Sequence, residues 1–133
     1  MMNKILKLSP IIFVLIIVFY VLNLNSRWKK MMNNNKVIYT IGTTSSLKTT
    51  SRSGIYISYS FMTKKGEKLT TDQSFNIKDA KRSYSYIKRK YINKKFFVKY
   101  NTQDISYNEI YFDKPVPDSL YNCTKCYWEK PPW

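Results

Sequence analysis

Two cysteines, eight carboxylates and no histidine make up the reactive inventory of this 133-residue chain. Cys123-Thr124-Lys125-Cys126 is the one motif whose spacing points to chemistry. Three readings compete for it. A redox-active CxxC sits at a helix N-terminus after a strand, where the thiol pKa is lowered. Here the pair lies in a proline-flanked tail with no strand–helix unit around it. A zinc site takes about four ligands, and two thiols without imidazole suffice only if two copies pool them. A local disulfide stapling the tail needs only an oxidising compartment, and the surroundings favour it. In a reducing compartment the same pair is two free thiols.

The acids Glu67, Asp72, Asp79, Asp104, Glu109, Asp113, Asp118 and Glu129 are scattered, mostly in turn-like segments. No two have a spacing that calls for paired-carboxylate catalysis. Lack of histidine removes the commonest general base and metal ligand. With three glycines there is no phosphate-cradling loop. The expectation is a chain that is not an enzyme and takes neither metal nor cofactor.

Charge is the other chemical asset. Lysine and arginine number 23 against 8 acids, a net charge of +15, which favours anionic lipid, glycan or nucleic acid as partners. The densest cluster is Lys78, Lys81, Arg82, Lys88, Arg89 and Lys90, followed by Lys94 and Lys95. These are the residues expected to touch an anionic surface. The plain alternative is a solvated face, because an abundance of Lys, Asn, Ile and Tyr also follows from AT-rich codon usage. Nucleic acid is the least expected of the three.

Stepping outward, Asn76 to Tyr91 must position that cluster. Ile77, Ala80, Tyr84, Ile87 and Tyr91 recur at helical spacing, predicting one amphipathic helix near 77–91 with the basic residues opposite. Asn76 is the expected cap, and Asp79 lies in the first turn. The rest of the domain reads as strands. Val37, Tyr39 and Ile41 alternate before Gly42, where a bulge is expected. Thr43 to Ser53 continues as a polar stretch closed by a Ser53-Gly54 turn. Ile55, Ile57, Tyr59 and Phe61 line one face of the clearest strand. Lys64-Lys65-Gly66-Glu67 is a hairpin turn into a partner strand, Lys68 to Phe75. Phe96, Val98 and Tyr100 face inward on a further strand, as do Ile110 and Phe112 on the last. Pro115 and Pro117 end the sheet. Tyr127, Trp128, Pro131, Pro132 and Trp133 either form a docking peptide or cover the sheet.

Everything hangs behind Ile11 to Leu22, twelve apolar residues without a charge. Ser9 as N-cap and Pro10 at the first helical position give a helix from Pro10 through Trp28, about 28 Å long and able to span hydrocarbon. Ile11, Leu15, Val18, Leu22 and Trp28 are the expected lipid contacts. The rival is a cleaved secretory signal with Lys4 and Lys7 as its basic lead. Asn23-Leu24-Asn25-Ser26 offers no small-x-small cleavage site, which favours an uncleaved anchor. A buried core helix is disfavoured because the run has no polar face. Charges flanking the helix are nearly balanced. The short basic N-terminus and the cysteines incline the reading toward an exported domain.

These pieces resemble a family of small bacterial membrane-anchored proteins classified only as a domain of unknown function, frequent in Bacteroidetes-like genomes. The resemblance lies in the anchor, Val37-Ile38-Tyr39-Thr40-Ile41-Gly42, Tyr59-Ser60-Phe61 with Gly66, and Lys95-Phe96-Phe97-Val98-Lys99-Tyr100 leading into Glu109-Ile110-Tyr111. The family's usual proline in the turn after that strand is absent from Asn101-Thr102-Gln103-Asp104. Covering roughly Val37 to Phe112, the resemblance implies a small β-sandwich or open barrel at a membrane and brings no catalytic residue.

The organisation expected is therefore an anchor over residues 1–30, a linker over 31–36, a mainly β domain over 37–118 and a Cys/aromatic/Pro tail over 119–133. The expected role is binding or structural interaction at the cell envelope. Membrane lipid and an envelope protein are the expected partners. A basic module for anionic polymer or lipid and a thiol–disulfide protein are the alternatives.

Overall fold

A computed structural model describes the backbone of residues 2–51 and 54–133, with side chains from residue 10 onward. The Ser53 side of the expected Ser53-Gly54 turn and the Ser9 side-chain cap lie outside the described residues. The chain divides between Asn35 and Lys36 into two compact units.

The first unit is one α-helix, α1 (Met2–Met32). It starts earlier and ends later than the expected Pro10–Trp28. Pro10 lies inside the helix rather than at its first position. Met, Lys and Leu in the leading segment are good helix formers, so the helix propagates across the one backbone hydrogen bond that proline removes.

The second unit is mainly β. Its strands are β1 (Val37–Thr49), β2 (Ile55–Met62), β3 (Lys68–Ser74), β4 (Lys95–Asn101) and β5 (Asn108–Pro115). They form one antiparallel sheet in the order β3-β2-β1-β4-β5. A three-stranded meander is followed by a helical connection and two strands that return beside β1. This is the Greek-key order of a partly open five-stranded barrel. The sheet does not close, since β3 and β5 share no ladder.

β1 is central and long because it serves two partners. Val37 to Thr43 pairs with β4, and Gly42 to Thr49 pairs with β2. The bulge lies between Thr44 and Ser46, not at Gly42. It inverts the side-chain alternation, so Ile38 and Leu47, which differ in parity, both pack on the core. Gly42 has a different reason to be glycine. A Cβ there would lie 2.5 Å from Val98 Cγ2 on the neighbouring strand. Gly66 does meet the turn expectation, with φ of 87° between β2 and β3.

The core joins Ile57, Tyr59 and Phe61 of β2 to Phe96, Val98 and Tyr100 of β4 and to Ile110 and Phe112 of β5. Two buried phenols keep hydrogen-bond partners. Tyr59 Oη donates to Asn108 Oδ1 at 2.5 Å, and Tyr100 Oη accepts from the Lys64 amide at 2.9 Å. The open side is bridged by one side chain. Gln73 on β3 donates from Nε2 to the Ile110 carbonyl (2.9 Å) and accepts at Oε1 from the Ile110 amide (2.8 Å). Its amide thereby stands in for one residue of a strand between β3 and β5.

The helix expected over 77–91 is two pieces, a 3-10 turn (Lys78–Lys81) and α2 (Tyr84–Tyr91). The break falls at Arg82-Ser83, where Ser83 takes extended geometry and its hydroxyl accepts from the Tyr86 amide. Serine prefers this N-cap role to a helix interior, so it starts a new helix; Asn76 caps neither piece. Ile87 and Tyr91 of α2 enter the core at the end where Phe75, Phe96 and Phe112 meet. Tyr91 lies 4.7 Å from Phe75 and 5.9 Å from Phe96, centroid to centroid.

Pro115 also departs from expectation. β5 extends through it, and Phe96 pairs with it across a register shift. A proline is tolerated there because β5 is an edge strand. The remaining tail folds back over the sheet's other face. Trp128 exchanges both backbone hydrogen bonds with Tyr39, at 2.8 and 3.0 Å, in the lane beside β1 that β2 does not reach. Trp133 packs within 5.1 to 5.5 Å of Tyr111, Phe97 and Tyr39.

Candidate ligand cleft and basic face

The turn between α2 and β4 brings Lys90, Lys94 and Lys95 to one place. Asn93 takes a left-handed backbone conformation, φ 57°, which asparagine tolerates better than most residues. Thr44, in the β1 bulge and 1 % exposed, locks the turn. Its hydroxyl donates to the Tyr91 carbonyl at 2.5 Å and accepts from the Lys94 amide at 3.0 Å. The Thr44 amide donates to the Lys94 carbonyl, and the Asn93 amide donates to the Thr44 carbonyl. Lys94 and Lys95 therefore leave a rigid corner.

Beside this corner lies a cleft of about 630 Å³. Phe96 and Phe112 form its floor, and Pro115, Val116 and Tyr121 form a wall. Lys90, Lys94, Lys95, Asp113 and Asp118 supply its polar groups. Lys95 is held at the wall: its ammonium donates to the Tyr121 carbonyl at 2.5 Å and sits 4.9 Å from that ring's centroid. Lys90 pairs with Asp79 at 2.7 Å. Asp113 has Lys114 at 3.8 Å. The Lys94 side chain is exposed.

The expected basic residues therefore do not form one uniform face. Lys90, Lys94 and Lys95 converge on the cleft. Arg82 and Lys90 flank the Tyr86 ring, at 5.7 and 5.5 Å from its centroid. Lys78, Lys81, Lys88 and Arg89 are exposed, on the 3-10 turn and α2. Asp79 is the acid that ties the two helical pieces together. The Lys90 ammonium and then the Tyr91 hydroxyl hold its carboxyl below the usual carboxylate range. Burial first, then the hydrogen bond to Asp79, pushes the Tyr91 phenol up to about 12.

Cys123 and Cys126 are joined by a disulfide, with 5.8 Å between their Cα atoms. The Thr40 hydroxyl donates to the Cys126 carbonyl at 3.1 Å, and Tyr127 Oη donates to the Thr63 carbonyl at 3.0 Å. The bridged loop is thus part of the strap across β1. No helix starts at either cysteine, so the helix-dipole activation that a dithiol enzyme uses is missing.

On α1, the segment Pro10–Met32 is long and apolar enough to cross a membrane, and none of its most apolar window is buried. Ile11, Leu15, Val18 and Leu22 are 48 to 63 % exposed, and Trp28 is 38 % exposed.

Sequence reasoning missed the cleft. Its floor was legible as inward strand positions and its lysines as a charge run. The wall comes from Pro115 to Tyr121, a stretch whose sequence says only that a strand stops. No family model, no curated protein and no solved structure matches the chain.

Proposed function

We propose that this chain is a single-pass membrane protein whose β-domain binds another component of the cell envelope and catalyses no reaction. The observation that carries the reading is Pro10–Met32: 23 residues, about 34 Å of helix, with the large apolar side chains from Ile11 to Leu24 exposed. Left in water, so much contiguous apolar surface would be unfavourable. Membrane lipid is its natural solvent. The separate compact unit from Lys36 onward supports a tethered module. The disulfide supports placing that module on the exported side. The reading agrees with the resemblance to small membrane-anchored bacterial β-domain proteins.

Fractionation tests it. Full-length protein should pellet with membranes, resist alkaline carbonate and enter solution only with detergent. Uncleaved chain in the high-speed supernatant would overturn it. Labelling Cys123 and Cys126 in intact cells with an impermeant thiol reagent, before and after reduction, reports the side: labelling only after reduction is expected.

A second reading has its own observation. Lys78, Lys81, Lys88 and Arg89 are exposed on the 3-10 turn and α2, as a surface for anionic lipid or polymer requires. Binding through it weakens steeply as salt rises.

A further inference from the structure

We propose that the cleft walled by Lys94, Asp118 and Tyr121 is a binding site for an acidic sugar residue of a surface polysaccharide. The proposal rests on the reading of the domain as an envelope-binding module and names its ligand class. A volume of about 630 Å³ falls within the range of small-molecule sites, about 300–1,000 Å³. Two features define what fits. Phe96 and Phe112 line the cleft from the core and are only 3 and 5 % exposed, so the half-buried Tyr121 ring is the aromatic surface open to the C–H face of a sugar. The rim carries both signs of charge. Lys90 is neutralised by Asp79, and Asp113 has Lys114 beside it. That leaves Lys94 and Lys95 against Asp118, an excess of one positive charge.

A bare phosphate or sulfate would meet the lysines but bring no separate hydroxyl face to Asp118, which accepts hydrogen bonds and donates none when ionised. A neutral sugar would satisfy the carboxylates with its hydroxyls and leave Lys94 without an anion. A uronate satisfies both, its carboxylate on Lys94 and its hydroxyls donating to Asp118 and Asp113. The corner locked by Thr44 holds the Lys94 backbone in place before the ligand arrives, so at that residue only the side chain is ordered on binding.

The test uses full-length protein in a detergent without a sugar headgroup. Tetragalacturonate, maltotetraose and inorganic phosphate are titrated by calorimetry, up to about 5 mM so that weak binding is seen. Tetragalacturonate should bind saturably, at least tenfold more tightly than the other two. Lys94→Gln and Asp118→Asn should each weaken it at least tenfold while thermal melting stays unchanged. Lys78→Gln with Lys88→Gln, outside the cleft, should change it less than threefold. Phosphate binding as tightly as tetragalacturonate, with Asp118→Asn tightening both, would make this a plain anion site and overturn the proposal. Equal binding of maltotetraose, an equal loss with the Lys78/Lys88 pair, or no uptake would overturn it too. None of these outcomes bears on whether the chain pellets with membranes, so failure here is distinguishable from failure of the anchored-module reading.

Discussion

Replacing Gln73 with leucine tests whether one side chain holds the open side of the sheet together. Gln73 makes two hydrogen bonds to Ile110, at 2.9 and 2.8 Å, between strands at opposite edges. A typical intramolecular hydrogen bond contributes about 0.5–1.5 kcal/mol net, so two contribute about 1–3 kcal/mol. Gln73 is half-buried, and water can reach part of the site once the amide is gone. The expected loss is therefore about 1–2 kcal/mol, the lower half of that range. For a domain of this size that lowers the melting temperature by about 4–16 °C. Amide hydrogen exchange locates the effect. The global loss speeds amides of β1 by about 5–30 times, and Ile110, whose own hydrogen bonds are removed, should exchange faster still. Gln73→Glu sharpens the test. The introduced carboxylate still accepts from the Ile110 amide but faces the Ile110 carbonyl with a second acceptor. Protonation supplies the missing donor, so the folded-state pKa of that group lies above its unfolded value. The stability it restores is then full at acid pH and lost as pH rises through the folded pKa. If Gln73→Leu left Ile110 exchange unchanged, or speeded every strand equally, the bridge would not be what closes the sheet.

Gly42→Ala should destabilise the domain by about 1–3 kcal/mol, the usual range for forcing extra methyl volume into a packed core. Its Cβ meets Val98 Cγ2, so adding Val98→Ala should recover part of the loss in a denaturation cycle. Thr44→Val keeps the shape of the side chain but strands the Tyr91 carbonyl and Lys94 amide, for a loss of about 1–3 kcal/mol. Thr44→Ser should retain most of the stability, and urea titration separates the two. The Asp79 cluster makes stability pH-dependent at both ends. The Asp79 carboxyl is held below its ordinary value, so its contribution is complete above that value and is lost as pH falls through the folded pKa. Tyr91, raised to about 12, contributes fully below pH 10 and loses that contribution as pH climbs toward 12. Asp79→Asn should flatten the acid limb of a stability–pH curve followed by fluorescence and only reduce the alkaline one, because burial is the larger cause of the Tyr91 shift.

Much of the fold was legible because its signals are local. Ile55, Ile57, Tyr59 and Phe61 alternate, and a glycine marks the Gly66 turn. The twelve-residue apolar run stands out by composition alone. What stayed hidden is non-local. The parity switch at the bulge reads in sequence as a polar stretch with a lone Leu47, and only pairing with Ile57 shows that residue's core role. Helical spacing over 77–91 held for Ile77, Ala80, Ile87 and Tyr91, which pack on or in the core, but not for Tyr84, which is exposed, and Ser83 cut the helix because a cap competes with continuation. The tail's fate was undecidable in sequence because Trp128 and Trp133 pack against Tyr39, Phe97 and Tyr111; the strand pattern treats Phe97 and Tyr111 as outer, and it grouped Tyr39 with Val37 and Ile41 as the apolar set. The cleft was hidden for the same reason, since its two sides are far apart in the chain. The disulfide spacing was visible, but not that its loop would lie across β1.

The strap formed by Cys126 to Trp128 has a consequence for crowding. A strand flank with bare amides and carbonyls is a template for a neighbour of the same kind. Molecules confined to a lipid plane meet far more often than molecules free in three dimensions. On the anchored reading, every copy would bring the first half of β1 to its neighbours again and again. By occupying part of that flank with its own Trp128 backbone, the chain takes the Tyr39 amide and carbonyl out of reach of adjacent copies.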